Sequence, residues 1–160
     1  MNKEIYRVQN PAIGAMILWR FICGYKSKDS SPTPFPLLFY VLPIIFRDDL
    51  CTTIKGTRKG LLKVSEKLFK EKRNDELYSI NNAAIELRQL TLTSFNIGVS
   101  SNLFKMDFDT AMVYALVDTK KSGLPSATQV MLDSAEKLGV WCSELTLIEI
   151  CEWMKVRFSV

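Results

Sequence analysis

The sequence predicts a mostly α-helical protein with a small β-hairpin: a helical N-terminal hairpin, a winged-helix-like middle and C-terminal helices. Three observations carry this. Two apolar stretches with helix-start signals lie between Asn10 and Phe46. Between Leu103 and Val117 apolar residues recur at every second position, the period of strands. Near the other end, Thr146-Leu-Ile-Glu149 is a capping box, a helix-start signature. The 160 residues suit one domain, 1–160. Its parts are an apolar helical segment (1–55), a winged-helix-like segment (56–120) and a C-terminal helical segment (121–160).

Met1 to Gln9 is a polar lead-in. The first helix follows, from Asn10 to Tyr25. Asn10 can cap it by accepting a free first-turn N–H. Pro11 suits the first helical position, where its missing N–H costs nothing. Ile13, Ile17 and Phe21 form one apolar row, Leu18, Ile22 and Tyr25 a second, and Met16, Trp19 and Cys23 a third. Only Arg20 interrupts the apolar surface, so the helix is expected to be buried nearly all round or covered by a partner. Lys26 to Pro34 reads as an exposed, mobile linker. Pro36 is placed to start a second helix, which Pro43 should kink or end. Neither stretch suits a membrane span of about 20 apolar residues, because Arg20 divides the first and Pro43 the second.

Asp48 and Asp49 suit the first turn of a short helix. Thr57 to Lys72 reads as an amphipathic helix capped by Thr57, with Leu61, Val64 and Leu68 inward, joined by Leu62 and Phe69. Asp75 can cap a further helix that turns Leu77, Ile80, Ala84 and Leu87 to one side. The β-rich step Leu90 to Thr93 is expected to be a turn, with Thr93 capping a short helix to Ser101. The alternating runs around Phe104–Phe108 and Met112–Leu116, joined at Asp109-Thr110, predict the hairpin. After a loop from Asp118, Ser126 can cap a helix with Val130, Met131, Ala135, Leu138, Trp141, Cys142 and Leu145 on its apolar face. Gly139 costs that helix about 0.8–1 kcal/mol against alanine unless close packing requires it. Ile150, Cys151, Trp153 and Met154 follow the capping box.

The chemistry is more restricted than the fold. Hydrophobic residues are 48%, charged residues 24% and the net charge +4, ordinary for a globular chain. There is no histidine, which removes Ser-His-Asp and Cys-His catalysis and the histidine-containing zinc sites. Gly56-Thr-Arg-Lys-Gly60 lacks the spacing of a phosphate loop. Cys23, Cys51, Cys142 and Cys151 form no Cys-x-x-Cys pair and suggest buried, reduced thiols in a cytoplasmic protein. No catalytic residue, metal site, cofactor or small-molecule substrate is expected, and the chain reads as a binding subunit and not an enzyme. Lys55 to Arg73 holds eight basic residues against two acids. Arg58, Lys59, Lys63, Lys67 and Lys70 are thus either a solvated helix face or a patch for phosphates or an acidic partner.

Certain residues also carry a resemblance. Asn10-Pro-Ala-Ile-Gly-Ala, Leu18-Trp19-Arg20-Phe21, Gly24-Tyr25, Pro36-Leu-Leu-Phe, Val41-Leu-Pro43, Ala135-Glu-Lys-Leu-Gly-Val-Trp141 and Val156-Arg157-Phe158 resemble blocks of the middle components of three-component ABC systems. These are accessory subunits of bacterial defence operons, including Lamassu-type anti-phage systems. The resemblance implies a subunit between an SMC-like ABC ATPase and an effector, with DNA within reach of the complex. In that reading Trp19, Arg20, Phe39, Trp141 and Trp153 are candidates for partner contact. The competing expectation is a free-standing winged-helix DNA-binding regulator. Against base reading, Thr93 to Asn102 has no Arg or Lys.

Overall fold

The computed structural model describes residues 10–58, 60–70, 74–120 and 122–154, and for 68–70, 74–78 and 154 the backbone alone. Among them are α1 (Pro11–Lys26), β1 (Thr33–Pro34), α2 (Val41–Ile45), α3 (Asp48–Lys55), α4 (Leu61–Lys70), α5 (Asn74–Glu86), α6 (Arg88–Ser100), β2 (Phe104–Asp107), β3 (Met112–Ala115), α7 (Ser126–Ser143) and α8 (Leu147–Met154). A 3-10 helix, Phe35–Tyr40, links β1 to α2. The fold is mostly helical, with one small antiparallel sheet in the order β1-β3-β2.

α1 is the centre, and its start is as the sequence predicts. The Asn10 side chain accepts from Ala12 N–H at 2.9 Å, with Pro11 as the first helical residue. Ile17, Leu18, Trp19, Phe21 and Ile22 are all buried. Its most extensive neighbours are α7 and then α6, with the second apolar stretch a lesser contact. The apolar stretches therefore do not pair mainly with each other. Glycines make the close crossings. A Cβ on Gly139 would lie 2.2 Å from the Phe21 carbonyl oxygen, and one on Gly24 would lie 2.0 Å from that of Glu136. Side-chain volume is excluded there, which is why a glycine interrupts α7.

Several local expectations change. The helix break falls between Tyr40 and Val41, ahead of Pro43, which sits in the first turn of α2. A proline ring clashes with the carbonyl four residues earlier, so Pro43 disturbs the chain at Phe39. The stretch 26–34 is not simply exposed: Thr33 is buried and β1 pairs with β3, Thr33 opposite Val113. Thr57 does not cap α4. Its hydroxyl donates to the Thr53 carbonyl at 2.6 Å, finishing α3, and α4 begins after Gly60, whose φ of +98° turns the chain. Leu62 is exposed instead of joining the core; Leu68 and Phe69 fall outside the described side chains.

Leu90 to Thr93 is helical, inside α6, and the break lies one turn earlier at Leu87. Packing overrides β-propensity here: Thr91, Ser94 and Phe95 are buried, and a Cβ on Gly14 of α1 would lie 2.2 Å from Ser94 Oγ. The hairpin matches its alternation. Phe104 faces Ala115 and Asp107 faces Met112, with Phe104 and Val113 fully buried. Phe95 joins this sheet to the rest, its ring 5.3 Å from Phe104 and 5.0 Å from Phe35. Ser126 is the first residue of α7, and Pro125 occupies the cap position. The capping box is reciprocal: Thr146 N–H donates to Glu149 Oε1 and Glu149 N–H to Thr146 Oγ1, both at 3.2 Å.

Candidate functional site

The basic region is built around the C-terminus of α3. A helix end leaves carbonyls without intrahelical donors and carries partial negative charge. Two lysines from other helices supply the donors. Lys137 of α7 donates to the carbonyls of Ile54 at 3.3 Å, Lys55 at 2.9 Å and Thr57 at 2.8 Å. Lys67 of α4 donates to the Gly56 carbonyl at 3.2 Å and to Thr57 Oγ1 at 3.0 Å. Partial burial, then the charges of Arg58 and Lys67, lower the Lys137 pKa from its ordinary value. The ammonium also lies 5.7 Å from the Trp141 ring centroid. Of the predicted patch, Arg58 and Lys63 are exposed, and Lys63 pairs with Glu66 at 3.1 Å. Lys67 is committed to the fold. Lys59 and the side chain of Lys70 lie outside the described residues.

Trp19 and Arg20 are held inside the molecule. Trp19 Nε1 donates to the Val117 carbonyl at 2.7 Å, and Cys23 Sγ shares that acceptor at 3.4 Å. Arg20 is 4% exposed and pairs with Glu136 at 2.9 Å and Asp118 at 3.4 Å. Burial opposes its charge, but the hydrogen bond to Glu136 and the nearby carboxylates outweigh it and raise its pKa. Lys120 joins the same Glu136 at 3.4 Å. α1 thereby straps the chain after β3 onto its surface. Phe39 is half-buried, edge-on to Phe35 at 5.3 Å; Trp141 is buried; Trp153 is half-buried on α8. The structure does not bring these five into one patch with the basic residues, except that Trp141 adjoins Lys137.

Among the described residues, two concavities bear on a binding site. An apolar void between Phe21, Leu37, Tyr40, Val41, Ile44, Leu138, Cys142 and Ile150 measures about 10 Å³, no more than a water's space. A shallow groove along α6 is lined by Thr93, Asn96, Ile97, Ser100 and Ser101, none of them charged. Among the described residues no group of three metal-ligating side chains converges, and no helix is long and apolar enough to cross a membrane. Residues missed in the sequence are Lys137, Glu136 and Asp118. Glu136 and Lys137 stand a turn before Trp141 on α7 and Asp118 lies in the loop after β3, and neither position identifies a partner in advance.

With this geometry in view, the family comparison is decisive. The family model of the ABC-three component (ABC-3C) system Middle Component 3 matches residues 1–158. The chain belongs to the Middle Component 3 family. No curated protein and no solved structure matches it. The match runs from the lead-in through α1 and the hairpin to beyond α8, so it covers the whole described fold.

Proposed function

We propose that this chain is a non-catalytic accessory subunit that links an SMC-like ABC ATPase to an effector in a bacterial anti-phage defence complex in the cytoplasm. The observation that carries this reading is the match to a middle component of a three-component ABC system along residues 1–158. Exposed apolar side chains on three separate elements, Ile85 on α5, Phe108 on the hairpin and Ile148 on α8, support it, because such groups gain from cover by other proteins. In the same reading Phe39 and Trp153 extend partner contacts from half-buried positions. Arg58 and Lys63, both exposed, are the candidates for contact with an acidic partner or DNA, together with Lys59 and Lys70 of the same basic run in the sequence. The test is a tagged pull-down from the native host with mass spectrometry. Recovery of a large ATPase together with a third protein is the expected result. Recovery of a soluble, monomeric chain alone overturns the reading.

A DNA-binding regulator with a winged helix is the second reading, and one observation favours it. The sheet order β1-β3-β2 places the α6–hairpin unit beside a third strand. Arg58→Glu, Lys59→Glu and Lys63→Glu together should then abolish a salt-dependent affinity for duplex DNA, read by fluorescence anisotropy. Unchanged affinity removes this reading.

A further inference from the structure

The hairpin ends in an exposed aromatic group. Phe108 is 86% exposed, more than any other large apolar side chain among the described residues. Asp107 and Asp109 flank it, and both are exposed. The tip is firmly built. Asp109 N–H donates to Asp107 Oδ1 at 2.9 Å, Asp107 pairs with Met112 across the ladder, and the Ala111 carbonyl accepts from Phe35 N–H at 2.9 Å. Ala111 has a φ of +56°, a conformation that glycine or asparagine adopts more readily. Alternation then puts Met112 and Tyr114 on the outer face of the central strand, opposite the buried Val113, with Leu116 continuing the row one residue past the strand, and this row begins at the turn. Tyr114 and Leu116 are exposed.

We propose that this tip and the outer row of β3 dock another protein of the complex, one that presents an apolar pocket rimmed by lysine or arginine. The proposal rests on the multi-protein reading above, which supplies the partner. Charge decides the kind of occupant. Two carboxylates beside the aromatic ring repel nucleic-acid phosphates and attract a cationic rim, and Lys105 is the hairpin's single basic residue. A rigid aromatic anchor loses little side-chain freedom when it is bound, so it concentrates binding energy in one residue.

The experiment co-expresses the full chain with the ABC ATPase and third component of its own operon and measures their binding to Phe108→Ala and to Asp109→Lys. Asp109 contributes only its backbone N–H to the turn, so its side chain is replaceable, and thermal melting checks that both variants stay folded. The expected result is assembly of the wild type, affinity lower by about 30-fold or more for Phe108→Ala, and a loss for Asp109→Lys that is largest at low salt. Wild-type assembly that neither variant weakens overturns this inference and leaves the multi-protein reading standing. Failure of the wild type to assemble overturns both. A chain that self-associates through Phe108, seen by light scattering, or that binds duplex DNA through it, also overturns the proposal.

Discussion

At the residue scale, Gly139 and the buried thiols make the clearest predictions. Alanine at Gly139 gains helix propensity, but its Cβ would meet the Phe21 carbonyl oxygen at 2.2 Å and the Tyr25 nitrogen at 2.9 Å. The backbone of α1 cannot give way as a side-chain tip would, so Gly139→Ala should destabilise by about 3 kcal/mol or more. Thermal denaturation checks this, at roughly 2–4 °C per kcal/mol for a chain of this size. The buried thiols contribute to the alkaline response. Burial pushes Cys142 up from 9.0 to about 12, and burial, opposed by the Arg20 charge and reinforced by Asp118, does the same for Cys23. Between these values the folded state keeps protons that the unfolded state has released, so stability falls as pH rises. The contribution is complete below pH 9.0 and is lost through the interval to about 12. Melting temperature should therefore fall above pH 9.0, and Cys142→Ala should flatten that fall whatever it costs in packing. An unchanged slope removes the assignment to Cys142.

At the element scale, the C-terminus of α3 depends on donors from α4 and α7. Lys137→Met leaves the carbonyls of Ile54, Lys55 and Thr57 without its ammonium and should cost about 1–2 kcal/mol. Lys67→Met should cost about 1 kcal/mol, with the two effects non-additive, because both lysines hold the Thr57 turn. A double-mutant cycle in urea measures this, and strict additivity would show that the two lysines act separately. The role was invisible in the sequence. The helix at Lys67 and its basic character were legible from the period of Leu61 and Val64. Its acceptors belong to α3, and nothing in a linear pattern says which helix end a lysine will reach. The α6 case is similar: Leu90 to Thr93 has β-rich composition, and the helix there follows from burial of Thr91 and Ser94 in the fold.

At the scale of the whole molecule, one continuous apolar cluster joins α1, α2, α3, α7 and the sheet. Unfolding should accordingly be a single cooperative transition, with tryptophan fluorescence and far-UV circular dichroism giving the same midpoint in denaturant. Separate midpoints would show that the segments fold as independent units. The sequence by itself determined the start of α1 at Asn10, the hairpin, the capping box at Thr146 and the family blocks, because each rests on neighbours within a few positions. It also showed that α1 is apolar nearly all round, hence central. Tertiary structure alone decided that α7 and α6 cover α1, that Thr33 completes the sheet, that Arg20 is neutralised by Glu136 and Asp118, and that Phe108 stays outside. Those outcomes depend on which surfaces meet, and shape complementarity between distant segments leaves no periodic trace in the chain.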